Sequence, residues 1–151
     1  MSELWSSERL IYRAVETEDH SLLASISTDP QGFMQATPFL AVLHGKKASV
    51  KYQEFLESCL IAAVICIAPP ADAHIANRTV EDPASKPIPI GVIHLGPMDP
   101  RVAHQRRSEI GINIVRRYQG QGYGSEAIKW ILVSLFRRRS SHVKCAAASL
   151  A

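Results

Sequence analysis

Apolar residues recur along the chain with two different periods, and the switches between them lay out its elements. Leu10, Ile11 and Tyr12 stand between polar residues in the segment Arg9-Leu10-Ile11-Tyr12-Arg13-Ala14, which reads as a first strand. Thr17 offers a helix cap, Glu18 and Asp19 put acids in the first turn, and Leu22, Leu23 and Ile26 supply an apolar face. Asp29-Pro30-Gln31-Gly32 ends that helix. Tyr52, Phe55, Leu56 and Cys59 repeat at helical spacing and predict a second helix over 48–59. The short apolar run 62–67 is stopped by Pro69-Pro70 and reads as a buried strand. Further strands are expected over 88–95 and 107–115, with Pro97, Asp99 and Pro100 turning the chain between them. The final predicted helix covers 124–138, with Ala127, Ile128, Ile131, Leu132 and Leu135 along one stripe.

This order is strand, two helices, three strands, helix and a short tail, with no internal repeat. It predicts an α+β or α/β domain built on a mostly antiparallel sheet. Residues 69–87 hold four prolines and no clear period, so they read as a long surface loop. Such a loop is either a plain insertion or a segment near a substrate entrance.

Composition narrows the class without naming it. The 151 residues suit one compact domain, expected here to span residues 1–151, and 46% hydrophobic with 21% charged residues is ordinary for a globular protein. The longest apolar run, residues 60–68, is far short of the ~20 residues a membrane-spanning helix needs. The opening MSELWSSERL lacks the basic and apolar regions of a secretory signal. Cys59, Cys66 and Cys145 form no C-x-x-C pair and have no histidine at metal-binding spacing, so neither disulfides nor a metal is expected. These features lead us to expect a cytoplasmic or nuclear protein with no membrane partner.

Charge is divided unevenly. Residues 1–100 carry 7 Lys and Arg against 12 Asp and Glu, whereas residues 101–151 carry 10 against 2, a local net charge of +8. A field of that sign suits a polyanion, either a phosphorylated ligand or a nucleic acid, or is simply a solvated basic face. Arg106-Arg107 and Arg137-Arg138-Arg139 accompany no recognised nucleic-acid motif, so a nucleic-acid partner is not expected.

The candidate chemistry lies where the strand over 107–115 runs into Arg116-Arg117-Tyr118-Gln119-Gly120-Gln121-Gly122-Tyr123-Gly124 and a helix follows at once. Glycines let the backbone turn tightly and approach a ligand, and amides at a helix start lack internal partners at the positive end of the dipole. The combination is an anion cradle suited to a pyrophosphate, with Arg116, Arg117 and Lys129 as accessory charge. No lysine follows these glycines as a P-loop requires. Gly122-Tyr123-Gly124-Ser125-Glu126-Ala127 fits a dinucleotide fingerprint, but no Asp or Glu occurs after Glu126 to hold a ribose.

Gln119-x-x-Gly122-x-Gly124 resembles the [QR]-x-x-G-x-[GA] signature of the GNAT superfamily of acetyl-CoA-dependent N-acetyltransferases. The preceding Glu109-Ile110-Gly111-Ile112-Asn113-Ile114 looks like the fourth strand of the branch that acetylates protein N-termini and small amines, including ribosomal proteins. Ser125-Glu126-Ala127 is similar to the helix opening usual there. The resemblance is clearest over residues 90–136. It implies a three-layer fold, acetyl-CoA as cosubstrate, and a primary amine as acceptor, on a small molecule, a lysine or a protein N-terminus. It also implies site roles. Ile114 and Val115 would face the pantetheine arm, Gln119, Gly120, Gln121, Gly122, Tyr123, Gly124 and Ser125 would wrap the phosphates, and Glu109 would be the general base. Strand alternation places Glu109, Gly111 and Asn113 on one face and Ile110, Ile112 and Ile114 on the other. Glu109 is equally readable as a structural glutamate paired with Arg107 or another basic neighbour.

The chain departs from the family pattern after Arg139. The tyrosine-bearing helix that would protonate the thiolate has no counterpart, and residues 143–147 are all that could begin a fifth strand. Tyr123 and His142 could supply the proton but carry no motif for it. A chain lacking the final helix and strands is expected to leave an open sheet edge, available to a second copy in a homodimer. A non-catalytic module that binds acyl-CoA through the same cradle, or a shortened form that acts through a partner chain, is the alternative function.

Overall fold

A computed structural model of the protein describes residues 2–29, 31, 45–69, 86–97, 99–105 and 108–139. Within them run β1 (Leu10–Arg13), α1 (His20–Ser27), α2 (Lys46–Ser58), β2 (Ile61–Ile67), β3 (Ile88–Leu95), β4 (Ile110–Ile114) and α3 (Tyr123–Arg139). The strands form one sheet in the order β1-β2-β3-β4, each antiparallel to its neighbour. This is the expected α+β arrangement, with element ends within a few residues of those predicted.

The sheet separates two apolar clusters because successive side chains point to opposite faces. On one face Leu10, Tyr12, Ala63, Ile65, Ile93 and Leu95 pack with Ala127, Trp130 and Ile131 of α3. On the other, Val64, Cys66 and Val92 pack with Leu22 and Leu23 of α1 and Leu56 of α2. The result is three layers: two helices, sheet, one helix. In β3 the alternation slips once. Ile65 pairs with Gly91 and Cys66 with Pro89, so Ile90 is an extra residue that joins Ile93 and Leu95 on the α3 face.

Two sequence expectations need correction. The buried stripe of α3 is Ala127, Trp130, Ile131 and Ser134, with Ile128 and Leu135 at its margins and Val133 exposed. Trp130 sets this rotation because its ring stacks on Tyr12 at 3.7 Å between centroids, and its Nε1 donates to the Leu4 carbonyl at 3.0 Å. Thr17 does not cap α1. A 3-10 turn (Thr17–Asp19) precedes that helix, and Asp19 closes it by accepting from the Glu16 amide at 2.9 Å. Residues 70–85 of the expected 69–87 loop, and the tail from residue 140, including Cys145 and His142, lie outside the described residues.

Asp19 is buried and takes two bonds from Arg13, both at 2.7 Å, which tie the start of α1 to the end of β1. Burial works to raise its carboxyl pKa, but the bonds from Arg13 and from the Glu16 amide, with the charge of Arg13, outweigh it and hold the value below the ordinary one. Replacing Asp19 with alanine removes the carboxylate that accepts two bonds from Arg13 and should cost about 2 kcal/mol, measurable by urea denaturation. A carboxyl held low in the folded state stabilises fully above its unfolded value of about 3.9. The Asp19 contribution should therefore fade as pH falls below that value through the lower folded one, and the Asp19→Ala protein should lack this part of the acid sensitivity.

Candidate functional site

At the C-terminal end of β4 the chain makes a 3-10 turn, Arg116–Tyr118, passes through Gln119 in an extended conformation, and enters α3 at Tyr123. Gly120 and Gly122 have φ of 73° and 83°, the left-handed region that side chains with a Cβ rarely adopt. Two side chains hold this loop from behind: Gln119 Nε2 donates to the Ile114 carbonyl at 2.8 Å, and Gln121 Nε2 donates to the Arg117 carbonyl at 3.1 Å.

The backbone donors divide cleanly. The Tyr118 amide bonds to Val115 at 2.9 Å and the Gln119 amide to Arg116 at 3.1 Å. The Glu126 amide closes the first turn of α3 on the Gly122 carbonyl at 3.1 Å. Between them, the amides of residues 120–125 have no hydrogen-bond partner among the described residues. Residues 120–125 thus present six successive donors at the N-terminal, positive end of the 17-residue α3, while Gln119 braces the loop through its side chain. Gly120, Gln121, Gly122 and Ser125 are exposed, whereas Tyr123 and Gly124 are half-buried. Arg116 and Arg117, just before the loop, and Lys129, in the second turn of α3, are exposed, with the Arg117 guanidinium 4.7 Å over the Tyr118 ring.

β4 leads toward this loop with one edge unpaired among the described residues. Val115 donates to the Ile90 carbonyl at 2.8 Å, and at the far end Gly96 donates to the Glu109 carbonyl at 2.8 Å. Antiparallel alternation then turns the backbone groups of Glu109, Gly111, Asn113 and Val115 toward β3, and those of Ile110, Ile112 and Ile114 toward the other edge. No described strand pairs with that edge. Ile114 therefore faces outward, while Val115 is committed inward to Ile90 and Tyr118.

The side chains of β4 keep the expected parity, with no bulge. Ile110, Ile112 and Ile114 pack on the α3 cluster. On the α2 face, Asn113 Nδ2 donates to the Tyr52 hydroxyl at 3.0 Å, and the imidazole of His94 lies against the Cα of Gly111, where a Cβ would occupy its place. Burial pushes the Tyr52 phenol up to about 12, although the bond from Asn113 acts the other way, so it stays protonated at neutral pH. Burial lowers the pKa of His94 below its usual value, although the charge of Glu109 acts in the opposite direction. His94 Nδ1 is sealed from solvent without a partner, and the Phe55 and His94 rings meet edge to face with centroids 5.2 Å apart. Glu109 is exposed at the start of β4 and has no ion pair among the described residues. Arg107, its alternative partner, is not among them. A strand rise of about 3.3 Å per residue puts Glu109 about 17 Å from Ile114 along the strand. Tyr123 sits at the other end, 4.6 Å beneath the guanidinium of Arg9.

The polar line of Tyr52, His94 and Asn113 was not found in the sequence, and neither was Arg9. Each is joined to the site through tertiary contacts, 61 residues apart in the case of Tyr52 and Asn113. Among the described residues there is no cluster of His, Cys, Asp and Glu able to hold a metal ion, and no helix is long and apolar enough to cross a membrane.

Comparison with known proteins gives a family. The sequence model described as "Acetyltransferase (GNAT) domain" matches residues 9–148. Among curated proteins, none matches the chain significantly. Similar solved structures include a GNAT-family acetyltransferase from Bacillus anthracis, with 18% identity and a TM-score of 0.61 over 89% of this chain and 67% of that one. An acetyltransferase from Agrobacterium tumefaciens str. C58 gives 15% identity and a TM-score of 0.60 over 89% of this chain and 67% of its own. The ribosomal L7/L12 alpha-N-protein acetyltransferase RimL, solved with coenzyme A, gives 15% and 0.56 over 87% of this chain and 66% of its own. The chain thus spans about two thirds of the length of these structures, which at such identities show a shared fold.

Proposed function

The chain belongs to the GNAT acetyltransferase family, and from that premise we propose that residues 1–151 act as a single acetyl-CoA-dependent N-acetyltransferase domain. The observation that carries the reading is the row of six unpartnered amides over residues 120–125 at the mouth of α3. Gly120, Gln121, Gly122, Tyr123, Gly124 and Ser125 would receive the diphosphate of the coenzyme through main-chain N–H groups, with Gln119 bracing the loop against Ile114. Ile114 would offer its outward N–H to the pantetheine arm, with Val115 anchoring the end of the strand beside it. RimL was solved with coenzyme A, and the microcin C7 self immunity acetyltransferase MccE with acetyl-CoA and AMP, which supports the choice of ligand.

The acceptor would be a primary amine on a small molecule or a peptide. Acyl transfer needs that amine neutral, so a base must take its proton before or as nitrogen attacks the thioester carbonyl. The C–N bond forms, the C–S bond breaks, and the thiolate takes up one proton. Glu109, exposed at the far end of the open strand edge, is our candidate base, directly or through a water. Tyr123 lies at the phosphate end of the site, so it is poorly placed to protonate the thiolate.

The test is a thiol-release assay with acetyl-CoA and a panel of amines and peptides, run beside a calorimetric titration of the coenzyme. Saturable binding with thiol release for at least one amine is expected. Binding without release for any amine would leave a coenzyme-binding module, and no binding at all would overturn the reading.

A further inference from the structure

The cradle does not stand alone. Arg9, just before β1 at the opposite end of the sheet order, lies against it from behind. Its Nε donates to Glu126 Oε2 at 2.9 Å, and its backbone amide donates to Glu126 Oε1 at 2.8 Å. Ser7 Oγ donates to the same Oε1 at 2.6 Å. Held in this way, the guanidinium passes 4.6 Å over the Tyr123 ring, and its NH1 donates to the Gln121 carbonyl at 3.1 Å. Its NH2 lies 3.3 Å from where a Cβ on Gly122 would be.

The bond to Gln121 has a geometric consequence. No peptide bond here is cis. In a trans peptide the C=O and the following N–H point in opposite directions. A guanidinium that holds the Gln121 carbonyl therefore turns the Gly122 amide the other way, away from Arg9. Gly122, with no Cβ and a φ of 83°, leaves the peptide on its N-terminal side free to rotate unless something fixes it. The charge on Arg9 also polarises the peptide it grips, which makes the N–H at its other end a stronger donor.

We infer that Arg9, locked by Glu126, is a positioning residue that fixes and polarises the Gln121–Gly122 peptide so that the Gly122 amide faces the diphosphate of the coenzyme. The inference rests on the proposed coenzyme reading and adds to it a dependence on the N-terminal segment. Grip on the phosphates then requires residues 7–9 as well as the glycine loop. The Glu126 carboxyl suits this role. Burial works against its charge, yet the bonds from Ser7 and Arg9 prevail and hold its pKa low, so it stays ionised at neutral pH.

Binding of acetyl-CoA by Arg9→Met, Arg9→Lys and Glu126→Gln proteins tests the inference, by calorimetric titration and by the 15N-resolved amide signals of Gly120 and Gly122. Arg9→Met should weaken binding about tenfold, as expected for one well-aligned bond to a charged group. Its Gly122 amide should lose the coenzyme-induced downfield shift that the Gly120 amide keeps. Arg9→Lys, with charge but no fork to hold both partners, should fall between Arg9→Met and wild type. Glu126→Gln should change both readouts in the same direction by less, and serves if Arg9→Met fails to fold. Wild-type affinity, or an unaltered Gly122 shift, in Arg9→Met or Glu126→Gln overturns the inference while leaving the coenzyme reading in place. A wild-type protein that does not bind acetyl-CoA overturns both.

Discussion

A Gly122→Val protein should bind acetyl-CoA at least about a hundredfold more weakly than the wild type while its helices stay folded. Gly122 has φ of 83°, and a β-branched residue reaches that region only under strain. The substituted loop would relax toward negative φ and rotate the amides on both sides of residue 122. Loss of two charge-assisted bonds at about 1.5 kcal/mol each corresponds to roughly a hundredfold in affinity. Gly124→Ala provides the contrast. Its Cβ would meet Ile114 Cδ1 at 3.6 Å and Ile112 Cδ1 at 4.0 Å, ordinary packing distances, and its φ is not positive. Alanine there should bind within about threefold of wild type, whereas Gly124→Val crowds those isoleucines with two further methyls. Calorimetric titration measures all three proteins, and far-UV circular dichroism checks the helix content. Equal affinity in Gly122→Val and wild type would show that the loop conformation is irrelevant to binding.

The second large effect is on turnover. Glu109→Gln should lower kcat by about 10²-fold to 10³-fold, the usual worth of a positioned base. The Kd for acetyl-CoA should stay within about twofold of wild type, because Glu109 stands about 17 Å along β4 from Ile114, after which the chain runs on into the glycine loop. The pH profile distinguishes a base from a structural carboxylate. Without Glu109, activity should climb with pH until the acceptor amine deprotonates on its own, and the deficit should shrink accordingly. Steady-state kinetics of thiol release across pH, on an amine found active in the panel, makes the measurement. An unchanged kcat would return Glu109 to the role of an exposed residue at the end of the ladder.

What the sequence revealed was local. Strand and helix periods over 9–14, 48–59, 62–67 and 107–115 come from neighbouring residues, and the structure places elements within a few residues of those positions. The glycine loop was also legible, because Gly120 and Gly122 report their own backbone conformation. Interactions across the fold were hidden. Arg9 and Glu126 are 117 residues apart and look like an ordinary strand flank and an ordinary helix-opening acid. The rotation of α3 follows from Trp130 meeting Tyr12, a choice no helical period encodes. The extra residue at Ile90 shifts the parity of β3, and alternation alone could not locate it in a run that is apolar on both faces up to His94. Thr17 looked like the helix cap because threonine is favoured there, but Asp19 had a stronger option in the Arg13 guanidinium and the Glu16 amide.

A crystal structure of the chain grown with coenzyme A would test the central claim most directly. The account predicts the diphosphate at the N-terminus of α3, with phosphate oxygens about 2.9 Å from main-chain nitrogens between Gly120 and Ser125. A coenzyme seated elsewhere, or a diphosphate held by side chains while those amides face away, would contradict it.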